Sequence, residues 1–265
     1  MLIVTRAYHL STPSRNSMRP QKILNISIIV PVLDESDRIR PFLQHLRERA
    51  SPAEVIVVTA AGVRGGSQSL IEVCDRTLTA PRARASQMNA GAAVASGDVF
   101  WFVHADCEAP NGCLEEISRA LADPRTVGGC FRIQFPRRNL IYRVGDAGGN
   151  LAVELFGRCY GDHGIFCRRK DFIVIGGYPN VPLLEDAEFY RKLRRRGRTR
   201  QLSSTIITSV RRYEEIGPYR LTASYVLLST LYLFRVPIPI LARIYNRLCV
   251  CRNRLAVREQ SHNGE

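Results

Sequence analysis

Eight cysteines occur in the 265 residues (74, 107, 113, 130, 159, 167, 249 and 251), yet none forms a C-x-x-C pair and none joins a histidine at zinc-finger spacing. A structural zinc site is therefore not expected. Several of these cysteines lie inside apolar runs, as buried thiols do, and a reducing compartment is the expected surrounding. No apolar run reaches the about twenty residues of a bilayer crossing. The longest uncharged one covers fourteen residues, 221–234, between Arg220 and Arg235. The start has four apolar residues before Arg6 and no signal-peptide core. Residues 1–24 read as a disordered basic extension, with Met18 a candidate true start. There is no internal repeat and no Pro/Ser-rich linker. Negative charge is scarce: 24 Asp+Glu stand against 38 Lys+Arg, a net charge of +14. That excess attracts phosphorylated substrates, acidic lipid or nucleic acid and carries no information about fold. A 45% hydrophobic, 23% charged composition excludes a disordered or collagen-like chain. The length suits one large domain or two small ones, with a core that needs neither disulfide nor metal.

Residues 25–33 (NISIIVPVL) form a continuous apolar run, the pattern of a strand buried on both faces of a parallel sheet. After Asp34-Glu35-Ser36, Ile39, Phe42, Leu43 and Leu46 recur at helical spacing. Pro41 should kink that helix or delay its start. Residues 54–59 (EVIVVT) read as a second buried strand, 62–66 as a turn and 67–74 as a short helix. This alternation predicts a parallel sheet with right-handed crossovers. An Ala-rich helix is expected over 82–96. A strand over 98–103 runs straight into His104-Ala105-Asp106-Cys107-Glu108. A helix follows Pro110, with Leu114, Ile117 and Leu121 inward, and ends at Asp123-Pro124. Next come a strand over 127–135, a mostly helical stretch over 139–156 and a loop over 161–164. The helix over 185–196 carries acids at its start and bases at its end, with Gly197 as a C′ stop. Residues 216–245 read as helix broken at Pro237 and Pro239. The expected fold is thus α/β: a mostly parallel central sheet flanked by helices over 25–215, and a helical appendage with a basic tail over 216–265.

In open parallel sheets ligands bind beyond the carboxyl ends of the strands. Those ends hold Asp34 and Glu35, Thr59, and His104 with Asp106. Carboxylates there can hold a divalent cation that clamps a diphosphate and neutralises a leaving group. Structural readings compete. Asp34-Glu35 suit a helix cap, and Glu185-Asp186 are the acids a first helical turn favours. His104 and Asp106 could be a polar turn, and Asp162-His163, between two glycines, fit turn chemistry equally well. Seven of the eleven residues over 190–200 are basic, usually the sign of a solvated face. With Arg243, Arg247, Arg252 and Arg254 they could instead seat the chain on an anionic membrane, with 221–234 lying in the interface. A plain core helix is the favoured reading of that stretch. No nucleic-acid motif appears, and aromatics are not interleaved with the basic run, so no nucleic-acid partner is expected.

The succession ISIIVPVLDE, EVIVV, RARASQMNAGAAVASGDVFWFVHAD, GDHGIFCRR and PLLEDAEFYRKLRRRG resembles the family 2 glycosyltransferases of the GT-A fold over roughly 26–245. More narrowly it is similar to a bacterial subfamily with an H-A-D motif that goes with radical-SAM and arsenosugar-type pathways. The resemblance implies that Pro31, Asp34 and Glu35 lie beside the nucleotide. It implies that Arg84, Asn89 and Gly91 line the donor, and that His104 and Asp106 stand for the family's D-x-D motif. Asp106 would ligate Mg²⁺ or Mn²⁺ on the donor diphosphate. Glu185-Asp186 match the motif whose carboxylate deprotonates the acceptor in inverting members, and Arg211-Arg212 a segment near the diphosphate. Asp162 and His163 are expected on the acceptor side. One departure is Thr59, where the family carries an Asp toward the base or ribose; a hydroxyl offers a hydrogen bond but no charge. The implied activity is metal-dependent, inverting transfer from a nucleotide-sugar donor to a small-molecule or lipid acceptor. The implied place is the cytoplasm, peripheral to the inner membrane. Two other readings compete: a catalytically degenerate basic binding protein and a nucleotidyltransferase of similar fold.

Overall fold

The computed structural model describes residues 24–249 apart from 34–37, 63–69 and 71. The amino-terminal extension, Asp34, Glu35, most of the turn and helix expected over 62–74, and the tail with Cys251 lie outside the described residues. β1 (Ile26–Val32) sits between β2 (Glu54–Ala60) and β4 (Val99–Phe102), parallel to both. A short strand not expected from the sequence, β3 (Arg76–Ala80), continues the parallel order beyond β2. The sheet reads β3-β2-β1-β4-β7-β6-β8-β5. β7 (Phe166–Arg168) is antiparallel to β4 and to β6 (Thr126–Gln134). β8 (Arg198–Thr208) runs parallel to β6, and the two-residue β5 (Cys107–Glu108) is antiparallel to β8.

β1 is buried along its whole length because its alternate side chains feed two cores. Ile26, Ile28, Val30 and Val32 pack with α1 (Ile39–Ala50), α3 (Cys113–Ala120) and Trp101. Ile29 faces the other side, with α2 (Arg84–Val94), α6 (Glu185–Arg196) and the rings of Phe100 and Phe102. Pro41 does not delay α1. It falls in the first turn, where a missing N–H breaks no helical bond. Pro31 lies in an interior strand, but beyond Ile29, the last residue of β1 that pairs with β4. Its missing N–H therefore takes nothing from the β1–β4 ladder. Gly197 ends α6 with φ −179°, extended backbone rather than the left-handed C′ turn expected; a Cβ there would stand 2.5 Å from Val127 Cγ1.

α4 (Leu140–Phe156) leads to a single 3-10 turn (Gly161–His163), and α5 (Arg169–Val174) follows β7. After β8 come α7 (Arg211–Ile216), α8 (Pro218–Leu233) and α9 (Ile238–Cys249). The break between the last two contains Pro237, while Pro239 lies in the first turn of α9. These helices close a third apolar cluster with Phe135 and Tyr142 around Tyr213, Leu221 and Leu241. Among the described residues no helix is long and apolar enough to cross a membrane.

The pair Gly128-Gly129 lets β6 pass close under its neighbours. A Cβ on Gly129 would collide with the Arg200 carbonyl oxygen and stand 2.7 Å from the Phe166 ring. Gly129→Ala should therefore cost about 1–3 kcal/mol or more. Gly148→Ala, on α4 with nothing within 4 Å of the new methyl, should gain up to about 1 kcal/mol from helix propensity. Urea midpoints of the two variants check both signs.

Candidate active site

The chain leaves β1 for β2 and β3 on one side and returns to β4 on the other, so β1 and β4 flank the point where the strand order reverses. Ligands settle at such a point in open α/β sheets. The carboxyl end of β4 delivers His104, Ala105 and Asp106 there. Gln87 of α2 donates from Nε2 to the Val32 and Val58 carbonyls, 2.7 Å each, holding the ends of β1 and β2 to the helix.

His104 is 5% exposed. Its Nδ1 lies 3.1 Å from Asp162 Oδ1 in the 3-10 turn, and its buried Nε2 has no hydrogen-bond partner. Asp186, in the first turn of α6, is equally buried, and its Oδ1 is also without a partner. Gly161 lets the two approach. A Cβ there would overlap the His104 ring and stand 2.6 Å from Asp186 Oδ2. Leu184, the residue before α6, holds a left-handed φ of 63°, a local strain that points Glu185 and Asp186 as they leave the helix N-terminus. Arg84, first residue of α2 and half-exposed, has Nη1 3.9 Å from Glu185 Oε1.

Charges in this cluster act on one another. Burial, with the neighbouring charge of Glu185, pushes the Asp186 carboxyl up to about 7, although His104 and Arg84 pull the other way. Burial also works against Asp162, yet the His104 hydrogen bond and charge, with Arg84, hold it down to about 2. The Asp162 side chain is 52% exposed, so water screens part of that pairing. His104 is lowered by burial and by Arg84, but Asp162 and Asp186 outweigh them and its pKa rises. Arg84 is lowered by burial and raised by Asp186, Glu185, Asp162 and Asp106, with a net rise. Asp106 is exposed at the same end of the sheet and is close enough for its charge to reach Arg84.

Several expected site residues make contacts within the scaffold. Thr59 is buried in β2 and its hydroxyl meets the Leu78 carbonyl at 3.3 Å and Thr79 Oγ1 at 3.2 Å, so it faces β3. Asn89 donates from Nδ2 to the Tyr178 carbonyl and accepts at Oδ1 from the Tyr178 N–H, both at 2.9 Å. Gly91 is a contact between helix and sheet: a Cβ would stand 2.5 Å from Ile29 Cγ2 and 3.1 Å from Val58 Cγ2. Pro31 is buried strand. Arg212 stacks over Tyr245, 5.3 Å from the ring centroid, and donates to the Cys249 carbonyl at the end of α9. Arg211 lies beside it on α7, with Nε 4.0 Å from Glu215 Oε1. His163, expected on the acceptor side, is 1% exposed and turned inward. Its Nδ1 meets the Phe131 carbonyl at 3.0 Å. Sequence reasoning missed Gly161 and Tyr178, whose ring stacks on Phe189 of α6 at 4.0 Å. The abrupt GDHG turn was the available signal for the first; nothing local marks the second.

The sequence model of the glycosyl transferase family 2 matches residues 27–169. No curated protein matches the sequence. Among solved structures, S. aureus TarS aligns with TM-score 0.54 at 15% identity, over 77% of this chain and 40% of that one. TarS 1-349 with UDP-GlcNAc gives 0.51 at 13%, over 69% and 58%. Glucosyl-3-phosphoglycerate synthase from Mycobacterium tuberculosis, with Mn²⁺, uridine diphosphate and glucosyl-3-phosphoglycerate, gives 0.53 at 14%, over 81% of each chain. At these identities the likeness is one of fold. The chain spans well under half of the full TarS chain and less than two thirds of its shorter form.

Gly161→Ala should separate His104 from Asp186 and lower stability by about 1–3 kcal/mol, read as a fall in the urea midpoint. In the folded chain Asp186 keeps its proton to about pH 7; in the unfolded chain it keeps it only to about pH 4. The stability from this group is therefore full below about pH 4 and is lost as the pH rises to about 7. Asp186→Asn should flatten that decline in the metal-free protein, measured by urea unfolding across the interval. An unchanged slope would show that Asp186 titrates normally.

Proposed function

The chain belongs to glycosyl transferase family 2, and from that premise we propose that it transfers a sugar from a nucleotide-diphosphate donor to an acceptor hydroxyl with inversion, with Asp186 as the base. The observation that carries the reading is the buried Asp186 carboxylate, whose Oδ1 has no partner and whose pKa sits near neutrality. A base poised there takes a proton at physiological pH without being permanently protonated or too weak to act. The acceptor oxygen bonds the anomeric carbon as the bond from that carbon to the diphosphate oxygen breaks, and the acceptor proton passes to Asp186 Oδ1. Glu185 keeps Asp186 basic by charge repulsion. Arg84, raised and always protonated, faces the negative charge that grows on the departing diphosphate. Asp162 orients the His104 ring through Nδ1.

The exposed carboxylate of Asp106, at the carboxyl end of β4, fits a hard divalent cation. Asp106 would hold Mg²⁺ or Mn²⁺, which when bound supplies charge neutralisation for the diphosphate, while Asp162 stays paired with His104 Nδ1. The uridine diphosphate in the related synthase and the UDP-GlcNAc in TarS make uridine nucleotides the donors to try first. The narrower likeness to the H-A-D-motif subfamily rests on His104, Ala105 and Asp106 and belongs to this reading, as does the division of catalytic unit from appendage near residue 215.

A lipid acceptor at an anionic membrane is the second reading. It is favoured by exposed apolar side chains on α4 and α8, which pack together: Leu140, Leu155, Phe156, Leu227 and Leu233, with Phe234 just after. Flotation with anionic but not neutral vesicles supports it; no flotation with either leaves the small-molecule acceptor.

Asp186→Asn should lower kcat by about 10²–10⁴-fold with the affinity for uridine diphosphate kept, and Asp106→Ala should weaken Mn²⁺-dependent nucleotide binding. Calorimetry and turnover separate the two effects. Full turnover by Asp186→Asn would overturn the assignment of the base, and release of pyrophosphate from a nucleoside triphosphate would favour a nucleotidyltransferase.

A further inference from the structure

Beside the 3-10 turn lies a second cluster that the proposed reaction does not use. Cys130 comes from β6, Cys159 from the segment between α4 and the turn, and His163 from the turn itself. All three are buried, the cysteines at 0% exposure and the histidine at 1%. Their Sγ, Sγ and imidazole nitrogen atoms all lie within 4.8 Å of one another. We propose that Cys130, Cys159 and His163 bind one zinc ion, which fastens the turn carrying Gly161 and Asp162 to β6.

The histidine is the decisive member. Its Nδ1 stands 3.0 Å from the Phe131 carbonyl, a bond in which Nδ1–H donates and which fixes the lone pair on Nε2. That Nε2 is buried and has no hydrogen-bond partner. A ligating histidine is typically held this way, its second nitrogen donating to a backbone carbonyl. Bond lengths of about 2.3 Å to sulfur and 2.0–2.1 Å to nitrogen place tetrahedral ligands about 3.5–4 Å apart. The cluster therefore needs to contract by no more than about an ångström. Three protein ligands leave the fourth position to a water or to the Tyr190 hydroxyl, 3.9 Å from Cys130 Sγ.

Charge selects the ion. Two thiolates and a dication sum to zero, which a buried site tolerates. A monovalent soft ion would leave one negative charge with no counterion, and burying that is costly. Hard cations such as Mg²⁺ prefer carboxylate oxygens, which this cluster lacks.

The test uses the full chain purified without chelator. One equivalent of zinc per chain is expected by elemental analysis, and it should resist exchange against excess Mg²⁺ or Mn²⁺. Replacement by Co²⁺ should give thiolate-to-cobalt charge-transfer absorption and tetrahedral d–d bands. Cys130→Ser/Cys159→Ser and His163→Gln should each bind less than a tenth as much metal. Should the variants not fold, titration of the wild-type thiols with a mercurial, with an indicator following zinc release, gives the same information: two thiols must react for each zinc freed. Three results overturn the proposal: no zinc or Co²⁺ uptake by the reduced wild-type chain; zinc retained in the double variant; or a Cys130–Cys159 disulfide in native non-reducing peptide mass spectra. Failure here leaves the transferase reading untouched, because no residue of the cluster enters the Asp186 chemistry.

Discussion

The site depends on bringing an ionisable pair together out of water. His104 and Asp186 come from opposite parts of the chain, one at the end of an interior strand and the other at the head of α6. A residue without a side chain lies between them. Burial and the Glu185 charge push the carboxyl up, and His104 and Arg84 pull against them, leaving it at about 7. The same enclosure that makes the carboxylate useful makes it destabilising, and the surrounding structure must offset this. The continuous burial of β1, the aromatic contacts of Phe102 with Phe172, Tyr178 and Phe189, and the Gln87 bridge supply that rigidity.

A proline in a central strand is ordinarily disfavoured, because it removes a ladder donor. Pro31 is tolerated because it follows the last pairing of β1 with β4, at the reversal of strand order. The antiparallel β7 closes the other flank of β4 and brings the 3-10 turn alongside His104, which is how Asp162 reaches the imidazole.

Much of this was legible from the residues. Strands buried on both faces announce themselves as unbroken Ile/Val runs, and β1, β2 and β4 fall where those runs predict. α2 follows from its alanine content, α3 from its apolar period and α6 from its end charges. β3 and β8 were hidden because an edge strand such as RTLTA needs no apolar face, and β8 begins inside the basic run that reads as solvated helix surface. At the ends of β4 and α6 a polar cluster interrupts an apolar pattern, which is why those residues stand out in the sequence. Thr59, Asn89, Gly91 and Arg212 make hydrogen bonds or packing contacts within the scaffold, which motif matching does not reveal. The Cys130, Cys159 and His163 cluster escapes spacing rules because three separate segments bring it together.

The close approach of α2 to the sheet at Gly91 reaches further than packing. That helix carries Arg84 at its opposite end, two turns away, so the height of the rod above the strands sets how deeply the guanidinium leans over the acids. A side chain at 91 would lift the rod off Ile29 and Val58, and with it the end that carries the guanidinium.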